Sequence, residues 1–221
     1  MSAVAEQPGG AFRPRPVSPA VSRSVDPKTR ADAGRFPVER VAVAFRHFLE
    51  SLGLDLADPN LVGTDRRVAR AFEEMLSGLR AAEPELSTFP NSKADSGLVC
   101  VAEIPFYSIC AHHFLPFFGQ AHVGYVPGTR LLGLSKFARV VDFFARRPQI
   151  QEDLTEQVAD LLDRRLAPAG LIVAMEGRHL GMEMRGISRL GVSTKTMAVR
   201  GTMENESLQR QFFSRLGESR R

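Results

Sequence analysis

The chain has no tryptophan and only two cysteines among its 221 residues. Two cysteines cannot staple a chain of this length, so a reducing compartment, the cytoplasm, is expected. No apolar run approaches the length of a membrane span, which excludes an integral helical membrane protein. The first residues lack the apolar core of a signal peptide, which speaks against classical secretion. Neither a Walker A motif nor a G-x-G-x-x-G occurs, so any nucleotide is held by some other device. Net charge is also scarce outside the N-terminal segment. Of the formal +4, residues 1–36 supply +3: Arg13, Arg15, Arg23, Lys28, Arg30 and Arg35 against Glu6, Asp26 and Asp32. The remainder is nearly balanced, and a nucleic-acid partner is not expected.

What is present is an ordinary globular composition, 43% hydrophobic with 15 phenylalanines, enough to bury a core. Residues 1–36, rich in Pro, Ser, Ala and Arg, show no apolar periodicity and read as a disordered arm. Their three acidic residues weaken the alternative of a transit peptide. Residues 37–221 read as the folded domain. Val38, Val41, Phe45, Phe48, Leu49 and Leu52 recur at helical spacing up to Gly53. A second helix follows, with Thr64 as its expected cap and Val68, Phe72, Met75, Leu76 and Leu79 on one stripe. LVCVAEIPFYSIC reads as a strand broken near Pro105, and QAHVGYVP as a strand sent back by PGTR through LLGLS. A helix capped by Ser135 and another over Gln151–Leu166 come next. LIVAMEG, HLGMEMRGIS and STKTMAVRGTM read as three strands, and a helix over Glu206–Leu216 ends the chain. Leading helices followed by strands and helices in blocks give an α+β class.

The densest reactive cluster is Cys110-Ala111-His112-His113. C-x-x-H lets a thiolate and an imidazole meet one cation from a single tight turn, as zinc sites require. The same residues serve equally well as plain structural side chains. His179 stands ahead of Gly181, Glu183 and Arg185, which share one face if the segment is a strand. In GLSKFARVVDFFARR, Ser135, Lys136 and Arg139 project from the first turns of a helix, where backbone N–H groups and cations suit phosphate oxygens. A solvated helix face is the alternative.

FYSICAHHFLPFFGQAHVGYVP, GLSKFARVVDFFARRPQIQEDLT and HLGMEMRG, in that order, resemble the signature blocks of the GTP cyclohydrolase I family. TDRRVARAFEEMLSG resembles its TPxRVAxxxxEMxSG helix, and the resemblance runs from about Val38 to Leu216. It implies the tunnelling fold, an antiparallel sheet with helices on one face whose barrel closes by oligomerisation, and a homo-oligomer, a decamer. It implies hydrolysis of GTP to 7,8-dihydroneopterin triphosphate and formate, a step of pterin and folate biosynthesis. Cys110 and His113 match two zinc ligands, and His112 and His179 match proton-transfer histidines. Glu152 matches the carboxylate that holds the guanine edge, and Gln151 beside it is expected among the substrate-binding residues. Ser135, Lys136, Arg139 and Arg185 match ribose and triphosphate contacts, and Arg67 matches an arginine lent by a neighbouring subunit.

Four positions depart from the family pattern. Gly181 stands where the third zinc-ligand cysteine belongs, Ala111 replaces Glu, Asp65 replaces Pro, and STKTMAVRGTM is irregular. Catalytic zinc takes three protein ligands plus water. On a strand, Glu183 would share a face with position 181, which makes Cys110, His113 and Glu183 the candidate metal set. A carboxylate there would favour iron or manganese more than thiolate does. The changes fall on the metal while the nucleotide residues are kept. That pattern admits three outcomes: a cyclohydrolase with an altered metal shell, a paralogue that binds a purine nucleotide but stops early or opens a different ring, and a non-catalytic nucleotide-binding subunit.

Overall fold

Two long helices open the fold, and the sequence explains both their stripes and their mutual packing. In the computed structural model, which describes residues 35–92 and 97–218, α1 spans Val38–Ser51 and α2 spans Thr64–Met75. The expected arm therefore lies outside the described residues, apart from Arg35 and Phe36. Asp65, one residue into α2, accepts two hydrogen bonds from Arg46 of α1, from Nε at 2.9 Å and Nη2 at 2.6 Å. The expected cap is corrected: Thr64 is the first helical residue, and left-handed Gly63 precedes it without a side-chain cap.

Strand β1 spans Thr88–Pro90, and β2 spans Val99–Cys110. Strand β3 covers Pro116–Val126 and β4 covers Arg130–Leu132. β4 does not return along β3 as expected; it pairs with β1 in a separate two-stranded sheet. The break in β2 falls between Val101 and Ile104, where Glu103 takes a φ of 58°, whereas Pro105 stays in register opposite Gln120. A bulge frees a backbone donor, and here Glu103 N–H is taken up by His122 Nδ1 at 3.1 Å.

Helix α3 spans Leu134–Ala145, β5 is the short Pro148–Gln149, and α4 spans Gln151–Leu166. Gly133, not Ser135, precedes α3, and Ser135 lies inside its first turn. Strand β6 runs Gly170–His179. The chain then makes one helical turn, α5 (Leu180–Glu183), so HLGMEMRGIS is not a strand. Strand β7 (Ser193–Gly201) and helix α6 (Glu206–Glu218) complete the order.

The main sheet is ordered β5-β2-β3-β6-β7, antiparallel except where β5 lies parallel to the end of β2. Helices α3 and α4 cover one face, bringing Phe137, Val140, Leu154 and Val158 onto Phe106, Phe117 and Val173. In β6 the neighbours of Val173 point the other way, and Ile172 and Ala174 meet Phe212 of α6. A helix thus lies on each face, with the main layer on the α3–α4 side.

Candidate functional site at the end of the sheet

Register brings the reactive residues together. Cys110, the last residue of β2, pairs with Gln149 of β5, and the chain enters α4 directly afterwards at Gln151 and Glu152. Phe117 of β3 pairs with His179, the last residue of β6. Those three strand ends therefore meet at one edge of the sheet.

The turn after Cys110 is tight. Phe114 N–H donates to Cys110 O at 2.9 Å, and Ala111 N–H donates to Gln149 O at 2.9 Å. Phe114 takes a φ of 58° there. Cys110 Sγ lies 4.0 Å from His112 Nδ1, and both His112 and His113 are exposed. His179 is half-buried and lies flat on Phe117, with centroids 4.6 Å apart and planes at 3°. Its Nε2 lies 2.9 Å from Gln151 Oε1. Burial lowers the His179 pKa, and the Glu152 carboxylate partly opposes that shift by raising it. Burial prevails, which favours a neutral imidazole ready to accept a proton at neutral pH.

Gln151 is the first residue of α4. It is 1% exposed, and its amide is engaged by the sheet. Glu152, next along α4, is exposed. Ser135 and Arg139 are exposed on α3, and Lys136 is half-buried. Arg185 is exposed in the irregular segment beyond α5. Among the described residues, no hydrogen bond or ion pair ties these four to the His179 cluster. Arg67 is occupied locally, donating to Val62 O at 2.8 Å and Thr64 Oγ1 at 2.7 Å.

Zinc is the ion that the family resemblance implies, and the donor set tests it. A Cβ built on Gly181 would stand 3.6 Å from His113 Nδ1, so position 181 faces the histidine but carries no donor atom. Glu183 does not replace it. Residues two apart share a face on a strand, but on a helical turn they point apart, and here the segment is helical. The Glu183 carboxylate is instead held by Arg178, from Nε at 2.8 Å and Nη2 at 2.7 Å. Those hydrogen bonds lower its pKa despite burial. Among the described residues, no three His, Cys, Asp or Glu side chains gather as a metal's ligands. Cys110, His113 and Glu183 are therefore not brought together, and the residues present do not fit a three-ligand zinc centre.

Sequence reading missed two participants, Phe117 and Arg178. Phe117 was visible as part of an apolar run, but its stacking partner depends on the β3–β6 register. Arg178 lay outside every motif.

The fold is an α+β domain with a polar site where the ends of β2, β5 and β6 meet. Its sequence likenesses are specific. The family model described as GTP cyclohydrolase I matches residues 41–217. A protein named GTP cyclohydrolase 1 from Thermobifida fusca (strain YX) is 48% identical over 176 residues, 77% of this chain and 85% of the relative. One of the same name from Mycolicibacterium vanbaalenii is 44% identical over 192 residues, 86% of this chain and 95% of the relative. Another, from Clostridioides difficile (strain 630), is 45% identical over 175 residues, 78% of this chain and 92% of the relative. The chain belongs to the GTP cyclohydrolase I family. Among solved structures, an apo archaeosine synthase QueF-like protein covers 50% of this chain and 97% of its own. Its 19% identity and TM-score of 0.41 are too slight to add to that assignment.

Proposed function

We propose that this protein is a GTP cyclohydrolase I-type hydrolase, which consumes GTP and one net water to give 7,8-dihydroneopterin triphosphate and formate. The observation that supports this reading best is the gathering of Cys110, His113, Gln151 and His179 at one sheet edge, with Glu152 beside them. Glu152 is the acceptor for the adjacent N–H donors of guanine, a bidentate match of the kind carboxylates make with guanidinium. Lys136, Arg139, Arg185 and Ser135 hold the triphosphate and ribose. The complete site is assembled in a homo-oligomer, a decamer of this chain, with Arg67 lent by a neighbour. His112 and His179 move protons during ring opening. No helix among the described residues is long and apolar enough to cross a membrane, and the cytoplasm is the proposed location.

Gly181 gives a specific reason for a second reading, a paralogue that binds a purine nucleotide and stops early or does not turn it over. One experiment separates the outcomes. The protein is incubated with GTP, with and without added zinc, while formate release and pterin fluorescence are followed. Both signals support the full reaction, formate alone supports an early stop, and GTP binding with neither supports a non-catalytic subunit.

A further inference from the structure

We propose that Gln151 is a positioning residue: its side-chain carbonyl holds His179 in the Nε2–H tautomer, so that Nδ1 is the nitrogen that exchanges protons with substrate. This inference rests on the proposed role of His179 as a proton-transfer group.

The Gln151 amide can face only one way. Its Nε2 lies 2.9 Å from Thr194 O, 3.3 Å from Met175 O and 3.1 Å from Thr196 Oγ1. Two of these are backbone carbonyls, which can only accept, so the NH2 end must point at them. The third is consistent. Thr155 Oγ1 donates to Gln151 O at 2.8 Å and lies 2.6 Å from Thr196 Oγ1. The Thr196 hydroxyl therefore spends its proton on Thr155 and keeps a lone pair for Gln151. Turning the amide over would set Oε1 against two carbonyl oxygens in a buried site, where unpaired acceptors are costly. Oε1 is left facing His179, and an acceptor requires a donor opposite it. His179 Nε2 must carry the proton.

The surroundings restrict the ring further. Phe117 lies flat beneath it, which sets its plane, while Gln151 sets which nitrogen is protonated. Among the described residues, no other group hydrogen-bonds the ring. Nε2 carries its proton in both the neutral and the cationic ring, so the Gln151 bond persists while Nδ1 takes up and returns a proton. The backbone also makes room for this arrangement. A Cβ at Gly177, two residues before His179, would fall 2.5 Å from Gln151 Oε1, so only glycine lets the carbonyl sit where it meets the ring.

The test uses the full chain with 15N-labelled histidine, the His179 signals being assigned by their loss in His179→Asn. The unmodified protein should show protonated Nε2 and unprotonated Nδ1 at neutral pH. Gln151→Met, which removes the acceptor at similar volume, and Gly177→Ala, which displaces it, should both mix the tautomers. In the same samples Gln151→Met should lower kcat about a hundredfold, within the range supplied by acid–base catalysis, with the Kd for GTP changed less than about twofold. A protonated Nδ1 in the unmodified protein overturns the inference. So does a Gln151→Met protein that keeps the tautomer and loses GTP affinity, which would return Gln151 to the base-binding site. If the unmodified protein releases no formate, the proposed activity fails, while the tautomer measurement still decides the role of Gln151.

Discussion

Gly181 faces His113 with nothing between them: a Cβ added to the glycine would stand 3.6 Å from Nδ1 of the histidine. That is ordinary contact distance, so a Cβ can be added at position 181 without displacing backbone. Gly181→Cys should therefore complete a set with Cys110 and His113. After dialysis against a weak chelator, elemental analysis should find less than one zinc per chain in the unmodified protein and close to one in the variant. The affinity should rise by at least about tenfold, a scale on which even outer-shell partners act. Equal zinc content in the two proteins would show that position 181 is not the missing ligand.

Glu183 and Arg178 make a prediction about pH. The guanidinium holds the folded-state pKa of Glu183 below its ordinary value. A depressed carboxylate pKa contributes stability that is present above the unfolded pKa and is lost as pH falls through the folded one. Glu183→Gln should lower Tm at pH 7, and the gap from the unmodified protein should begin to narrow as pH drops below about 4.3, the ordinary glutamate value, and go on narrowing until pH is below the lower folded value. A gap that stays constant down to pH 3 would assign the loss to packing instead of charge.

Phe137 tests the core beneath the α3 layer. It is fully buried and tilts against Tyr125 at 5.5 Å between centroids. Phe137→Ala should cost about 3–5 kcal/mol, from lost transfer free energy and the cavity left behind, read as a fall in the denaturant midpoint. A cost under about 1 kcal/mol would mean that the α3 layer does not pack on the sheet as described.

Glu152 tests the base. Its carboxylate is exposed, free to meet a ligand edge, and Glu152→Ala should weaken GTP by about a hundredfold, the scale for losing a paired charge. Inorganic triphosphate, which lacks the guanine edge, should bind nearly as before. Calorimetry with both ligands measures the difference, and ATP binding as tightly as GTP to the unmodified protein would remove guanine from the proposal.

Helix α4 shows what a sequence pattern conveys well. Leu154, Val158, Leu161 and Leu162 mark one stripe, and the helix spans Gln151–Leu166 as read, because a continuous apolar face and an αL residue after its end are local features. The caps at Thr64 and Ser135 were misread, since a glycine precedes each helix and no side chain caps it. The β1–β4 pair was invisible because two three-residue strands carry no periodicity of their own. At the site, Cys110, His112 and His113 could be grouped from the sequence because four consecutive residues close one turn.

Local order along the chain thus determined the helices, the main strands, the α+β class and the family blocks, since helical and strand periodicities are written into nearest neighbours. Relations across the sheet edge needed the folded chain. Gln151 and His179 meet because β5 leads into α4 beside the end of β6. Gly181 turns toward His113, and Glu183 away to Arg178, because the chain leaves β6 as a helical turn. Strand register and the direction of one reversal decide which side chains touch, and neither is encoded in the spacing of the residues that do so.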